Sequence, residues 1–362
     1  MLFRIILILI TLCHCRAAAH QAPWPTDEWP RSAPEAEQLD SSQLNELVRL
    51  IREGKRFPDL HGLLVVRNGY LVLEEYFDGH AAHGLHTQQS VSKSFTSALI
   101  GIAIEQGKMR GVDEKVLGFF PEMQRIENRD QRKEAMTLGD LLTMRSGTDY
   151  HEGSSNSPHS QLNRLSKGWD RFVLNRPMLR QPGSRFQYDS GGVILMSSLL
   201  KSRTGMHADA FADRYLFPQI GIQKKRWFKN SQGHPHTGGG LHLRPQDMAK
   251  FGLLYLRGGR WQGKQVVPEE WVRESLKKHV DFPGGKGRST GYGYLWWVLP
   301  PDPQGAGEQD IYAAMGFRAQ YIFLVPEHDM LVVVTGGTRN YSDQRRPIDF
   351  LYSHILPAVE AR

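Results

Sequence analysis

The chain has 362 residues, 40% of them hydrophobic and 23% charged, with 8 Trp, 12 Tyr and 16 Phe. That is enough apolar material for a large core in one big domain or two. The formal charge is +7, but basic residues are scattered among acids and the longest basic runs are Lys224-Lys225-Arg226 and Arg345-Arg346, which argues against a nucleic-acid partner.

The chain opens with Arg4, an apolar run from Ile5 to Leu12, and Ala17-Ala18-Ala19. A charged start, a short hydrophobic stretch and small residues predict a secretory signal over residues 1–19 and a periplasmic or secreted protein. The run is too short to span a bilayer, so no stable membrane insertion is expected after cleavage. Both cysteines, Cys13 and Cys15, lie in this segment, so the mature protein would carry no disulfide, and its charge would fall from +7 to +5. Small residues precede neither cysteine, which argues against a lipid anchor there. Residues 20–38, rich in Pro and Ala, read as a linker, with the folded domain over 39–362.

Gln43 to Glu53 has helical spacing, with Leu44, Leu47, Leu50 and Ile51 on one face. Two β-rich runs flank Arg67-Asn68-Gly69, a hairpin signal. From about Val91 to Arg226 the pattern is mainly helical, interrupted by a polar loop from Tyr150 to Gly168. Arg244 to Gly259 and Pro268 to Lys278 read as helices with proline at the first turn. "GGKGRST" (Gly284 to Thr290) lacks the order of a phosphate-binding loop and reads as a plain loop. "GYGYLWWVL", "AQYIFLVPE" and "DMLVVVTGG" return to β, and a final helix ends the chain. The expected fold is α+β: an antiparallel sheet from about 39–87 and 235–362, flanked by helices, with an inserted helical subdomain from about 88–234. A cleft between the two parts is the natural site.

"SVSKSF" places Ser90 and Lys93 three residues apart at the start of an apolar helix. A serine hydroxyl needs a neighbour that takes its proton, and residues three apart on a helix can touch. Burial would lower the lysine pKa and let it act as a base, while the helix N-terminus favours an oxyanion. Ser-x-x-Lys also occurs at Ser198/Lys201 and Ser275/Lys278, which read as ordinary helix surface. Tyr188 and Ser190 lie in a turn-rich segment before another apolar helix. Tyr188 is either a core aromatic or, beside cations that lower its pKa, a proton shuttle.

Together "SVSKSF", "YDS", "LLTMRSG", "PGSRFQY", "GGGLHLRPQDMAKFG", "YGYLWW" and "AQYIFLVPE" resemble the serine β-lactamase-like hydrolases. These comprise class C β-lactamases, penicillin-binding proteins, esterases and the 6-aminohexanoate-dimer hydrolase group. The resemblance covers about Leu44 to Ala358. It implies a β-lactamase/transpeptidase-like fold, Ser90 as nucleophile and Lys93 as its base. It also implies Tyr188 as acid/base partner and Ser190 hydrogen-bonded to Lys93 or substrate. Gly316 and the N–H groups of Ser90 and Phe317 would form the oxyanion and substrate-binding position. The Lys/His-Thr/Ser-Gly motif, which the family carries on an edge strand, departs here to Ala314-Met315-Gly316, with neither cation nor hydroxyl. That favours a small-molecule ester or amide over β-lactams and cell-wall peptides. A β-lactamase or DD-peptidase, and a non-catalytic binding protein on the same fold, are the alternatives.

The loop from Tyr150 to Trp169 is read as a lid or a surface loop, with Tyr150 and Trp169 as substrate contacts. No cofactor is expected. His80, His83 and His86, spaced at three, read as loop residues rather than metal ligands, because no carboxylate or cysteine accompanies them. His234 and His236 read the same way. Of Trp296 and Trp297, alternation turns one into the core and leaves the other either packed structurally or lining the cleft.

Overall fold

The computed structural model describes residues 23–26, 28–54, 56–123, 125–286, 289–301 and 309–360. The expected signal segment, with both cysteines, lies outside them. Among the described residues no helix is long and apolar enough to cross a membrane.

The described residues form thirteen strands in chain order: β1 (Leu60–Arg67), β2 (Tyr70–Tyr76), β3 (His86–Thr87), β4 (Lys225–Trp227), β5 (Leu241–Leu243), β6 (Arg260–Trp261), β7 (Lys264–Gln265), β8 (Val280–Lys286), β9 (Ser289–Tyr292), β10 (Trp297–Leu299), β11 (Ile311–Gly316), β12 (Gln320–Val325) and β13 (Met330–Gly336). Eight form an antiparallel sheet in the order β2-β1-β13-β12-β11-β10-β9-β8. The two ends of the chain thus build one sheet, as the pattern predicts. β3, β5 and β4 make a second small sheet, and β6 and β7 a hairpin. Asn68 and Gly69 have φ of 53° and 86°, the left-handed pair that a two-residue hairpin between β1 and β2 requires.

Alternation sorts the core into two layers. Leu64 and Val66 of β1, Ile322 and Leu324 of β12, and Leu331 and Val333 of β13 face the larger helical cluster. Leu63, Val65, Phe323, Val325, Val332 and Val334 face the helix Ser41–Arg52 and the C-terminal segment from Arg346 to Ile355. Strands covered on both faces bury both residue sets, which is why β12 and β13 read as continuous apolar runs.

The helix Ser92–Glu105 is buried from Ser92 to Ala103. It packs on the helices Ser190–Thr204, Ala208–Tyr215 and Glu269–Leu276. A Cβ on Gly101 would fall 2.2 Å from Trp271 Cγ, so only glycine lets that indole seat against the helix.

Three readings are corrected. The stretch expected as a linker is packed where it is described: Trp29 is buried, Trp24 packs tilted against Trp261 with ring centroids 5.0 Å apart, and Arg31 bridges to Leu71. Its tryptophans, rather than its prolines, decide its placement. Gly284 to Thr290 is not a plain loop, since β8 runs to Lys286 and β9 begins at Ser289. "GYGYLWWVL" is not one strand. Leu295 takes φ 63° and breaks it, its N–H donating to the Leu142 carbonyl and its own carbonyl accepting from Ser94 Oγ.

Candidate active site

The 3₁₀ turn Gln89–Val91 carries Ser90, and the following helix starts at Ser92. Ser90 therefore stands just before the helix rather than on it. A 3₁₀ turn eclipses residues three apart, which brings the two side chains together: Lys93 Nζ is 2.8 Å from Ser90 Oγ. Gln89 holds φ 46°, a left-handed conformation that costs a non-glycine residue about 1–2 kcal/mol. The turn is held from two sides. Gln88 N–H donates to the Leu241 carbonyl, and Leu241 N–H donates to Ser92 Oγ at 3.2 Å.

Lys93 is almost fully buried and donates to the Gly238 carbonyl at 2.6 Å. Burial pushes its pKa down to about 8, against the opposing pull of the Glu152 and Asp189 charges. A neutral amine has two N–H bonds and one lone pair. With an N–H on Gly238, the lone pair is free to face Ser90.

The Tyr188 phenol lies near the Ser90 side chain, which works to lower its pKa. Its ring lies 4.9 Å from Lys93 Nζ and stacks on Trp297 at 5.8 Å. A proton shuttle at this position would have its phenol lowered by neighbouring cations. Instead burial, reinforced by the Glu152 charge, pushes it up, so at neutral pH it donates a proton rather than takes one. Ser190 lines the same cleft, but it does not reach Lys93, whose partners are Ser90 and Gly238. Among the described residues Ser190 Oγ is buried without a partner.

β11 ends at Gly316 against the Ser90 turn. A Cβ on Gly316 would lie 2.6 Å from the Gln88 carbonyl and 3.2 Å from Gln89 Cβ, so glycine permits the close approach. β11 is an interior strand, not the edge strand that carries the family motif. Yet β10 pairs only Ile311 to Ala313, and leaves Ala314–Gly316 unpaired on that side. Ala314 is buried, while Met315, Gly316 and Phe317 line the cleft.

The cleft encloses about 1400 Å³, more than a pocket for one compact ligand needs. Leu85, Phe228, Phe317 and Tyr341, four of the six exposed large apolar side chains among the described residues, stand around it. Trp297 lines it and Trp296 is fully buried, as alternation requires.

Tyr150 and Trp169 do not line the cleft. Tyr150 is fully buried, with its hydroxyl on His159 Nδ1 at 3.0 Å; Trp169 is buried and donates to the Leu165 carbonyl at 2.9 Å. Their rings carry more apolar area than their loop can leave in water. The same segment instead offers Glu152, His159 and Asn163 to the cleft. Glu152 accepts from the Ser190 N–H at 2.9 Å. Sequence reasoning missed it, because no local pattern marks a carboxylate that reaches the site from a loop.

His236 lines the cleft, with Nε2 3.3 Å from Asn163 Oδ1, and burial lowers its pKa to about 3. His234 faces the Ile194 carbonyl at 3.2 Å. His80 and His86 come together with His61, whereas His83 stays apart from them. Ser198 donates to Asp170 and Ser275 to the Trp271 carbonyl, so neither of the other Ser-x-x-Lys serines uses its lysine.

A family model described as beta-lactamase matches residues 47–353. The chain belongs to the beta-lactamase family. It is 24% identical over 350 residues to the 6-aminohexanoate-dimer hydrolase of Paenarthrobacter ureafaciens, covering 86% of this chain and 85% of that protein. Its fold resembles that of EstCE1, described as a hydrolase with promiscuous acyltransferase activity, with a TM-score of 0.70 and 17% identity over 88% of this chain and 100% of that one. It also resembles the octameric penicillin-binding protein homologue of Pyrococcus abyssi, with a TM-score of 0.68 and 18% identity over 87% and 78% of the two chains. The fold and family expected from the motifs are thereby established, and the protein is a hydrolase-family member with the β-lactamase fold.

Proposed function

We propose that the protein is an exported serine hydrolase that cleaves an ester or amide through an acyl-enzyme on Ser90. The observation that carries this reading is the buried Lys93 amine, 2.8 Å from Ser90 Oγ with its pKa brought down to about 8. The neutral amine takes the Ser90 proton as Oγ bonds to the substrate carbonyl carbon. The N–H groups of Ser90 and Phe317 receive the carbonyl oxygen as it becomes anionic. Collapse of the tetrahedral intermediate breaks the C–O or C–N bond, and the Tyr188 phenol gives the leaving group its proton. The Lys93 ammonium then reprotonates Tyr188. Water repeats the sequence on the acyl-enzyme, releases the acid and restores Ser90.

Ala314 supplies no cation where the family holds a substrate carboxylate, and the apolar rim suits an uncharged acyl or alkyl group. The hydrolase named for the 6-aminohexanoate dimer points to short linear amides. A second reading, a substrate bearing a carboxylate, is favoured by Arg226, Arg318 and Arg345, which line the same cleft. Export rests on the residue 1–19 pattern.

Labelling by a fluorophosphonate probe, with turnover of p-nitrophenyl esters, tests the reading. Ser90→Ala is expected to lose both. Undiminished turnover in that variant, or an unlabelled wild-type enzyme inert to esters, amides and β-lactams, overturns it.

A further inference from the structure

Three histidines from separate segments meet beside the cleft. His61 lies on β1, His80 in the loop between β2 and β3, and His86 on β3. Each offers one ring nitrogen, and the three nitrogens lie within 4.8 Å of one another. The His61 and His80 rings stack at 3.7 Å.

Hydrogen bonding fixes where the ring protons sit. His61 Nε2 is 3.0 Å from Asp59 Oδ1, and a carboxylate only accepts, so Nε2 carries hydrogen and Nδ1 a lone pair. His86 Nδ1 is 3.2 Å from the Thr87 carbonyl, which also only accepts. Its Nε2 therefore holds a lone pair too. These two lone pairs face each other across 2.8 Å. Neutral rings cannot place a hydrogen between them, so the pair needs a cation.

We propose that His61, His80 and His86 bind one divalent transition-metal ion of the zinc class, through His61 Nδ1, His86 Nε2 and a ring nitrogen of His80. Imidazole suits such ions, with metal–nitrogen bonds of about 2.0–2.1 Å. Two nitrogens on a tetrahedral ion stand about 3.3 Å apart, so the observed gap opens by roughly half an ångström. Asp59 sits behind His61 as the orienting carboxylate that metal-bound histidines commonly have. Three protein ligands leave a fourth position for water. β3 leads directly into Gln88 and the Ser90 turn, so the ion ties β1 and the β2–β3 loop to the strand that delivers that turn. The site does not depend on what Ser90 does.

The test uses tag-free, chelator-treated protein titrated with Zn²⁺ at neutral pH by calorimetry, with Tm followed in parallel. Wild type and Ser90→Ala are expected to bind one equivalent and to melt at higher temperature with zinc. His80→Ala, which removes an exposed ring, and His86→Gln should each weaken binding at least about tenfold, and Asp59→Asn by about 10- to 100-fold. His151→Gln, on a different loop, should bind as wild type. No stoichiometric binding to wild type overturns the proposal, and so does binding that the folded His80 and His86 variants retain at full strength.

Discussion

Lys93 donates to the Gly238 carbonyl at 2.6 Å, and this contact aims the remaining face of its amine at Ser90. Two consequences are measurable. Lys93 becomes a base only once deprotonated, so kcat/KM should rise with pH through about 8 and then level off. Lys93→Arg keeps the charge but cannot release a proton, and should lose about 10²- to 10⁴-fold in kcat/KM with no such rise.

The same group affects stability. Its pKa is about 8 folded and 10.5 as the reference value, so between these the unfolded chain binds more protons. Stability should therefore climb with pH across that window. Denaturant unfolding at pH 8 and pH 10 should show a larger increment in wild type than in Lys93→Met, which keeps the contribution of Lys133, also brought down to about 8 by burial.

Tyr188→Phe should keep its ring stacked on Trp297 while losing the phenol that gives up a proton. The expected result is a fall of about 10²- to 10⁴-fold in kcat with little change in Tm.

Gly316→Ala pushes a methyl group toward the Gln88 carbonyl, 2.6 Å away, and shifts the strand end against the Ser90 turn. The rate should fall by up to about 10³-fold, on the scale of a lost oxyanion donor, while binding of substrate changes less. Steady-state kinetics separates the two.

Trp169→Ala should destabilise the protein by about 3–5 kcal/mol, and Tyr150→Phe by about 0.5–1.5 kcal/mol through loss of the His159 bond. Thermal or denaturant unfolding measures both. KM for esters should hold in each folded variant, because neither ring touches the cleft.

Much of this was legible in the sequence where the information is local. The continuous apolar runs of β12 and β13, Asn68-Gly69 between β1 and β2, and the proline starts at Pro245 and Pro268 all act within a few residues. The Ser90–Lys93 spacing is local too, and the burial of the helix behind it follows from composition. What stayed hidden comes from far along the chain. Gly238 lies 145 residues from Lys93 and contributes a carbonyl, which every residue has. Glu152 looked like any loop acid. His61, within a β-rich run, gave no sign of meeting His80 and His86. Tyr150 and Trp169 were misread for a different reason: an aromatic flanking a polar loop suggests contact with ligand, but burial depends on what packs above it.

The left-handed Gln89 bears on how the protein could be engineered. A stability screen would favour Gln89→Gly, since glycine takes that backbone conformation without penalty. The gain in melting temperature would come from relaxing the one residue whose strain sets the direction of Ser90. Variants selected there for robustness alone would drift toward a sturdier but less capable catalyst.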